Sequence, residues 1–371
     1  MNPAYAPLFE PFALRSGLQL HNRIVMAPMT NFSSHDDGTV SDAEIAYYAR
    51  RSQGVGMVIT ACTYVTANGK GFPGEFAGHE DAMIPSLRSL ASAIKAKGAK
   101  AVLQIFHGGR ACPPDLVQGD VVSASAVPAP AGGPVPRALE AEEVHAIVRD
   151  FGEAARRAIE AGYDGVEIHG ANGYLLQQFF SPHSNRREDE WGGSLEKRMA
   201  FPLAVIAEVK RVAAAHASSP FLIGYRFSPE EPETPGITMD DTLRFVDVLA
   251  DQGLDYLHVS LNEFDSKPRR GADVSKTRLE WIVETAAGRT PVIGVGSIHT
   301  PDEAVKALET GIALVALGRE LIMEPDWVQK TAEGKEAEIK VTLNKADQER
   351  LVVPDPLWRA IIGSPGWFPV E

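Results

Sequence analysis

The sequence predicts an α/β chain folded as a (β/α)8 TIM barrel, a single domain with an N-terminal hairpin and a C-terminal extension. Two observations carry this. Eight short β-rich apolar runs alternate with stretches of helical periodicity, the pattern of βα units on a parallel sheet. The first run leads into "APMTNFSSH" with no GxGxxG, where a doubly wound nucleotide fold would carry its glycine-rich turn.

The strand candidates are "RIVMAPM" (23–29), "GMVITA" (56–61), "KAVLQIFH" (100–107), "GVEIH" (165–169), "FLIGYRF" (221–227), "YLHVS" (256–260), "PVIGVG" (291–296) and "LVALG" (314–318). Helix candidates lie between and after them at 41–52, 84–97, 140–161, 195–215, 239–252, 276–287, 302–310 and 325–332. Ser41 and Ser194 stand where N-caps belong, and Glu196 adds an acid to the first turn after Ser194. In 140–161, Val144, Ile147, Val148, Phe151, Ala155, Ala158 and Ile159 share one face, and Gly162 can stop the helix. The alternation in "FALRSGLQLHN" (12–22) predicts a hairpin closing the barrel floor. The barrel is assigned to 1–335 and the extension to 336–371, which can pack on its own barrel or dock on a neighbouring subunit in a homo-oligomer.

With 371 residues the chain can bury a large core. A net charge of -13 and a pI near 5.3 argue against a nucleic-acid surface, which needs clustered Lys and Arg. Small-molecule partners are expected. The start "MNPAYAPLFEPFALR" lacks the basic and apolar blocks of a signal peptide, and no uninterrupted apolar run could span a bilayer. Cys62 and Cys112 are too few for a disulfide framework or an iron–sulfur site. The expectation is a soluble cytoplasmic protein without a membrane partner.

In such barrels chemistry sits at the C-terminal strand ends. Those positions are Pro28, Met29 and Thr30 after the first strand, Ala61 and Cys62 after the second, and Gln104 to His107 at the third. The fourth delivers His169, Asn172 and Tyr174, the fifth Arg226, the seventh Gly296 and Ser297, and the eighth Gly318 and Arg319. The last two loops commonly form a phosphate site. Gly296 and Gly318 would let backbone approach a dianion and Arg319 would neutralise it, whereas the plainer alternative gives the glycines tight turns only. Position in the barrel favours the phosphate. A metal role for His169 finds no second ligand at the right spacing, since His183 lies in the separate "SPHSNRR". A nucleophile finds no GxSxG, and neither cysteine sits beside an evident base. What is left is a pair able to grip an oxygen, His169 and Asn172, and a phenol able to give a proton, Tyr174; a structural role for a strand-end histidine stays open at this point.

The long block "HGANGYLLQQFFSPHSNRREDEWGGSLEKRMAFPL" (169–203), with "MAPMT", "LQIFHGGR", "GVGS" and "ALGRE", resembles the Old Yellow Enzyme family of FMN-dependent NAD(P)H oxidoreductases over roughly residues 5 to 335. The resemblance implies FMN over the barrel mouth. Backbone at Pro28 and Met29, the Thr30 hydroxyl and Gln104 would meet the flavin, with Ala61 counted among the cofactor contacts. Arg226 would stand by the flavin edge where reduction collects charge, and Gly296, Ser297, Gly318 and Arg319 would hold the phosphate. His169 and Asn172 match the pair that binds a carbonyl or nitro oxygen, and Tyr174 the proton donor to the α-carbon. The implied activity is ping-pong: NAD(P)H reduces FMN and leaves, and an activated alkene then takes the hydride in the same pocket. Phe106 is expected to shape that pocket; Phe32 replaces a tyrosine of some relatives and either lines it or simply packs. Thr30 stands where one bacterial branch has a cysteine, so thiol regulation is not expected there. The alternatives are a flavin, quinone or nitro reductase or NAD(P)H oxidase on the same scaffold, and a barrel without cofactor acting as a binding protein, which retention of Gln104, Arg226 and Arg319 opposes.

Overall fold

The computed structural model describes residues 1–371. Eight parallel strands close on themselves: β1 (Ile24–Met26), β2 (Met57–Tyr64), β3 (Lys100–Phe106), β4 (Gly165–Gly170), β5 (Leu222–Phe227), β6 (Tyr256–Val259), β7 (Val292–Gly294) and β8 (Leu314–Leu317). β8 pairs with β1 through Leu317 and Met26, and β1 with β2 through Met26 and Val58, which completes the (β/α)8 barrel. The outer layer is α1 (Asp42–Arg51), α2 (Ile84–Lys95), α3 (Ala141–Ala161), α4 (Leu195–His216), α5 (Met239–Ala250), α6 (Arg278–Ala286), α7 (Pro301–Glu309) and α8 (Trp327–Glu333).

Local chemistry sets the element ends. Ser41 and Glu44 form a reciprocal capping box on α1, Ser194 accepts from the Lys197 amide on α4, and Gly162 closes α3 at φ 87°. On α3, Val144, Ile147, Phe151, Ala155 and Ala158 are buried, while Val148 and Ile159 sit at the edge of that face.

Two strands differ from expectation. The first stops at Met26, because Pro28 has no N–H to donate and the chain turns toward the barrel mouth. The second runs on to Tyr64, with its register shifted between Ile59 and Cys62, so Ala61 and Cys62 lie within β2 and not after it. The bulge lets the β-rich "TACTY" keep pairing with β3 while re-aiming its side chains. Short helices at Leu175–Phe180 and Arg319–Met323 have no period long enough to be read, and a nine-residue helix at Asp355–Gly363 lies in the C-terminal extension, where the sequence reading places none.

The hairpin at 12–22 pairs Phe12 with Leu20 and Ala13 with Gln19. Its Leu14 and Leu20 pack on Val25, Met57, Val102, Leu222, Ile293 and Leu314, the inward side chains at the bottom of the barrel, and so plug the floor. Within this chain, Leu343, Leu351, Leu357, Ile361 and Phe368 of the C-terminal segment are buried in the main core cluster. Fully buried Arg51 of α1 donates to the carbonyls of Tyr47 and Leu351, tying that segment to the helical layer.

Candidate active site

At the barrel mouth the register brings polar side chains of neighbouring strands side by side. Gln104 lies opposite Glu167, and Arg226 opposite both His169 and His258. Gln104 Nε2 donates to Glu167 Oε1 at 2.8 Å, and Glu167 Oε2 lies 2.9 Å from His258 Nδ1. This places the Gln104 side-chain oxygen on the free side as an acceptor. Burial pushes the Glu167 carboxyl up, but His258, Arg226 and Gln104 outweigh it and hold it below the ordinary range. Burial lowers His258 in turn, so Glu167 is the anion, His258 a neutral donor and Arg226 the counter-charge. Arg226 is buried, and its Nε has no partner within the protein. An orphaned donor on a buried cation is costly unless an acceptor completes it.

His169 lies near the end of β4, and Asn172 and Tyr174 follow on the turn after it. Asn172 takes a left-handed backbone at φ 57°, and its Oδ1 accepts from Ser260 Oγ at 2.7 Å, which leaves Nδ2 as a free donor. The His169 Nδ1 accepts from the Ala171 amide at 3.2 Å, so the ring carries its proton on Nε2. Burial, reinforced by Arg226 and His258, drives the His169 pKa well down and keeps it neutral. The Tyr174 ring meets Phe106 edge-on at 4.6 Å and His169 at 5.1 Å between centroids. Its phenol is pushed above the ordinary tyrosine value, first by burial and then by Cys62 and Glu75. These groups enclose a cavity of about 50 Å³ lined by Pro28, Thr30, Cys62, Phe72, Gln104, His169, Asn172, Tyr174 and Arg226.

A second cavity of about 520 Å³ shares Pro28, Asn172 and Arg226 with the first and runs to the β7 and β8 loops. That volume suits a cofactor-sized molecule. Gly296 has φ 143°, and a Cβ there would lie 2.6 Å from the Phe264 amide nitrogen. Ser297 is left-handed at φ 47° and donates to the Asn262 carbonyl. Arg319 donates to Ser297 Oγ at 2.7 Å and to the Trp367 carbonyl at 2.9 Å. Gly318 and Met29 line the same space, with a Cβ at Gly318 falling 3.3 Å from the Met29 sulfur.

The predicted site residues therefore converge, with exceptions. Ala61 lines neither cavity, its N–H donating to Tyr48 Oη behind the β2 bulge. Phe106 acts through its contacts with Tyr174 and His169, and Phe32 meets Phe72 at 5.9 Å. The "SPHSNRR" block is scaffolding: Asn185 donates to the carbonyls of Phe179 and Trp191, and Arg187 to that of Ala124. Sequence reasoning missed Phe72, Glu167, His258, Ser260 and Trp367. A charged or polar residue inside "GVEIH" and "YLHVS" was the available signal for Glu167 and His258; Trp367 had none.

The model of the NADH:flavin oxidoreductase / NADH oxidase family matches residues 7–338. The chain is 56% identical, over the full length of both, to the probable NADH-dependent flavin oxidoreductase YqiG of Bacillus subtilis (strain 168). It is 43% identical to the NADH:fumarate oxidoreductase of Klebsiella pneumoniae (strain 342) over 95% of this chain but only 38% of that protein. Among solved structures, morphinone reductase in complex with tetrahydroNAD superposes with a TM-score of 0.76 at 31% identity, over 88% of this chain and 91% of that one. An orphaned Arg226, a free Gln104 oxygen and the Gly296–Arg319 cradle are a donor set that fits a flavin with a phosphate tail. The chain belongs to the NADH:flavin oxidoreductase / NADH oxidase family, on the Old Yellow Enzyme barrel, and is an FMN-dependent NAD(P)H oxidoreductase.

Proposed function

We propose that the enzyme reduces activated alkenes, α,β-unsaturated carbonyl or nitro compounds, with Tyr174 as proton donor. The observation that carries this is the placement of two oriented donors, His169 Nε2 and Asn172 Nδ2, on the wall that also carries the Tyr174 phenol. FMN, when bound, supplies the exchange of reducing equivalents between NAD(P)H and the alkene. Gln104, Arg226, Pro28, Met29 and Thr30 would hold its ring system, and Gly296, Ser297, Gly318 and Arg319 its phosphate.

As an alkene takes electrons at its β-carbon, negative charge gathers on the activating oxygen. His169 and Asn172 stabilise that oxygen with donors fixed in advance by the Ala171 amide and Ser260. Neutral His169 suits this role, because it donates without giving up a proton. Tyr174 then protonates the α-carbon; its raised pKa keeps the proton in place until a carbanion-like base is present. Phe72 and Phe106 pack around the phenol and exclude water that would compete as donor. Relatives named for fumarate and acrylate, both carboxyl-activated alkenes, support this substrate class, although the chain spans under two fifths of their length.

Anaerobic turnover of an enone, a nitroalkene and a quinone in deuterated water tests the assignment. One solvent deuteron is expected at the α-carbon of each reduced alkene. Turnover of quinones or oxygen with no alkene reduced would replace this reading with that of a flavin or quinone reductase or NAD(P)H oxidase.

A further inference from the structure

Two side chains of the larger cavity have no part in the account above. His299 follows β7 and Glu320 follows β8, and both line the space between Gly296 and Arg319. His299 Nδ1 lies 2.9 Å from Glu320 Oε2. Glu320 is fully buried, and its other oxygen has no partner, whereas the His299 side chain is 24% exposed and its Nε2 has no protein partner. The backbone around His299 is pinned: its amide donates to Glu303 Oε2, and its carbonyl accepts from Trp327 Nε1 at 2.7 Å.

The neighbouring charges can be assigned in turn. Arg319 is shared with Ser297 Oγ and the Trp367 carbonyl. Glu324 is paired with Lys330 at 2.6 Å, Glu303 caps α7 through the His299 and Thr300 amides, and Asp302 accepts from Tyr5. Glu263 stands exposed at the rim of the same cavity. Glu320 is thus the buried carboxyl without a cationic partner of its own, and burial pushes it up to about 7 against the pull of His299. Beside Glu263 and Glu320, Arg319 alone leaves a phosphate dianion in this cradle short of a second positive donor.

We propose that His299 binds the FMN phosphate as an imidazolium, oriented by Glu320, so that cofactor binding takes up a proton. The proposal rests on the phosphate reading of Gly296, Ser297, Gly318 and Arg319. With Nδ1–H committed to Glu320, a neutral ring offers Nε2 as a lone pair, which repels phosphate; protonation converts it to a donor. A phosphate monoester is already largely dianionic above its second pKa of about 6, so between pH 7 and 9 the relevant change is on the protein. Rising pH removes the proton, and FMN affinity falls.

FMN and riboflavin are titrated into the apoprotein between pH 7 and 9, followed by flavin fluorescence. For FMN, Kd should rise with pH by up to about tenfold per unit, the limit for one linked proton. Riboflavin, without a phosphate, should show no such slope. His299→Asn should weaken FMN at pH 7 and flatten its profile; a variant that keeps the wild-type slope overturns the proposal. Proton uptake by the wild-type protein in weak buffer at pH 8 needs no variant: a net uptake with FMN and none with riboflavin is expected, and no uptake with FMN overturns it. If riboflavin binds as tightly as FMN, the phosphate cradle itself is misassigned, a separate outcome from failure at His299.

Discussion

Asn172 shows how a single residue can be legible in identity and not in mechanism. The sequence marks it as a polar group after a strand end, and its partner Ser260 lies 88 residues away, just past the end of β6, beyond any local pattern. Ser260→Ala should let the Asn172 amide turn over, removing about 1 kcal/mol of fixed donor stabilisation. Reoxidation by an enone should then slow several-fold in stopped flow, with flavin content unchanged. Gly296 was readable as a glycine near a phosphate, and the structure supplies the stronger reason. A methyl group at Gly296→Ala meets the Phe264 backbone at 2.6 Å on a φ of 143°, so the loop must move. A stability loss of about 1–3 kcal/mol and weaker FMN binding are expected, read by thermal melting and flavin titration. Glu167 and His258 were the harder case: each looks like a defect in an apolar strand until closure of the barrel sets them beside Gln104 and Arg226.

At the scale of elements, the strands were legible as short continuous β-rich apolar runs, buried on both faces, and the long helices by their period of 3.6, with caps that are local chemistry. The helices at Leu175–Phe180 and Arg319–Met323 and the β2 bulge were not, because fewer than two turns carry no period and a bulge is set by the partner strand. The α1 capping box carries a prediction. Glu44 accepts from Ser34 and the Ser41 amide, yet burial raises its carboxyl to about 7. Its folded pKa exceeds the unfolded value, so the protonated form is favoured by folding. The stabilisation is fully present below the ordinary carboxylate range and is lost as pH rises through about 7; Glu320 adds the same sign. Melting temperatures between pH 5 and 9 should fall less steeply for Glu44→Gln, and an unaltered profile would refute the assignment. The last residues matter for a different reason. The Trp367 carbonyl holds Arg319, and Leu343 binds the Pro369 carbonyl, so removing residues 365–371 should release Arg319 and lower FMN affinity. Retention of wild-type affinity would show that Arg319 needs no support from this segment.

For the whole molecule, the order of βα units made the barrel readable, while the course of the long loops was not, because side chains from distant segments fix it. The family block 169–203 identified the protein by its scaffolding as much as by its chemistry: Asn185, Arg187 and Arg198 brace loops, and only its first residues face the site. We propose that 1–335 and 336–371 form one folding unit, since Leu343, Leu357 and Phe368 share the barrel's core cluster. Chemical denaturation followed by tryptophan emission and circular dichroism should give one coincident transition; an early step confined to the C-terminal tryptophans would separate the two parts.

The central claim, that this barrel positions a phenol to complete alkene reduction, is tested most directly by the two half-reactions of Tyr174→Phe in anaerobic stopped flow. Flavin reduction by NAD(P)H should stay within about twofold of wild type, because that step needs no proton from the phenol. Reoxidation by an enone should slow by about a hundredfold or more, the usual contribution of a positioned acid. Equal slowing of both half-reactions, or of neither, would contradict the role assigned to Tyr174.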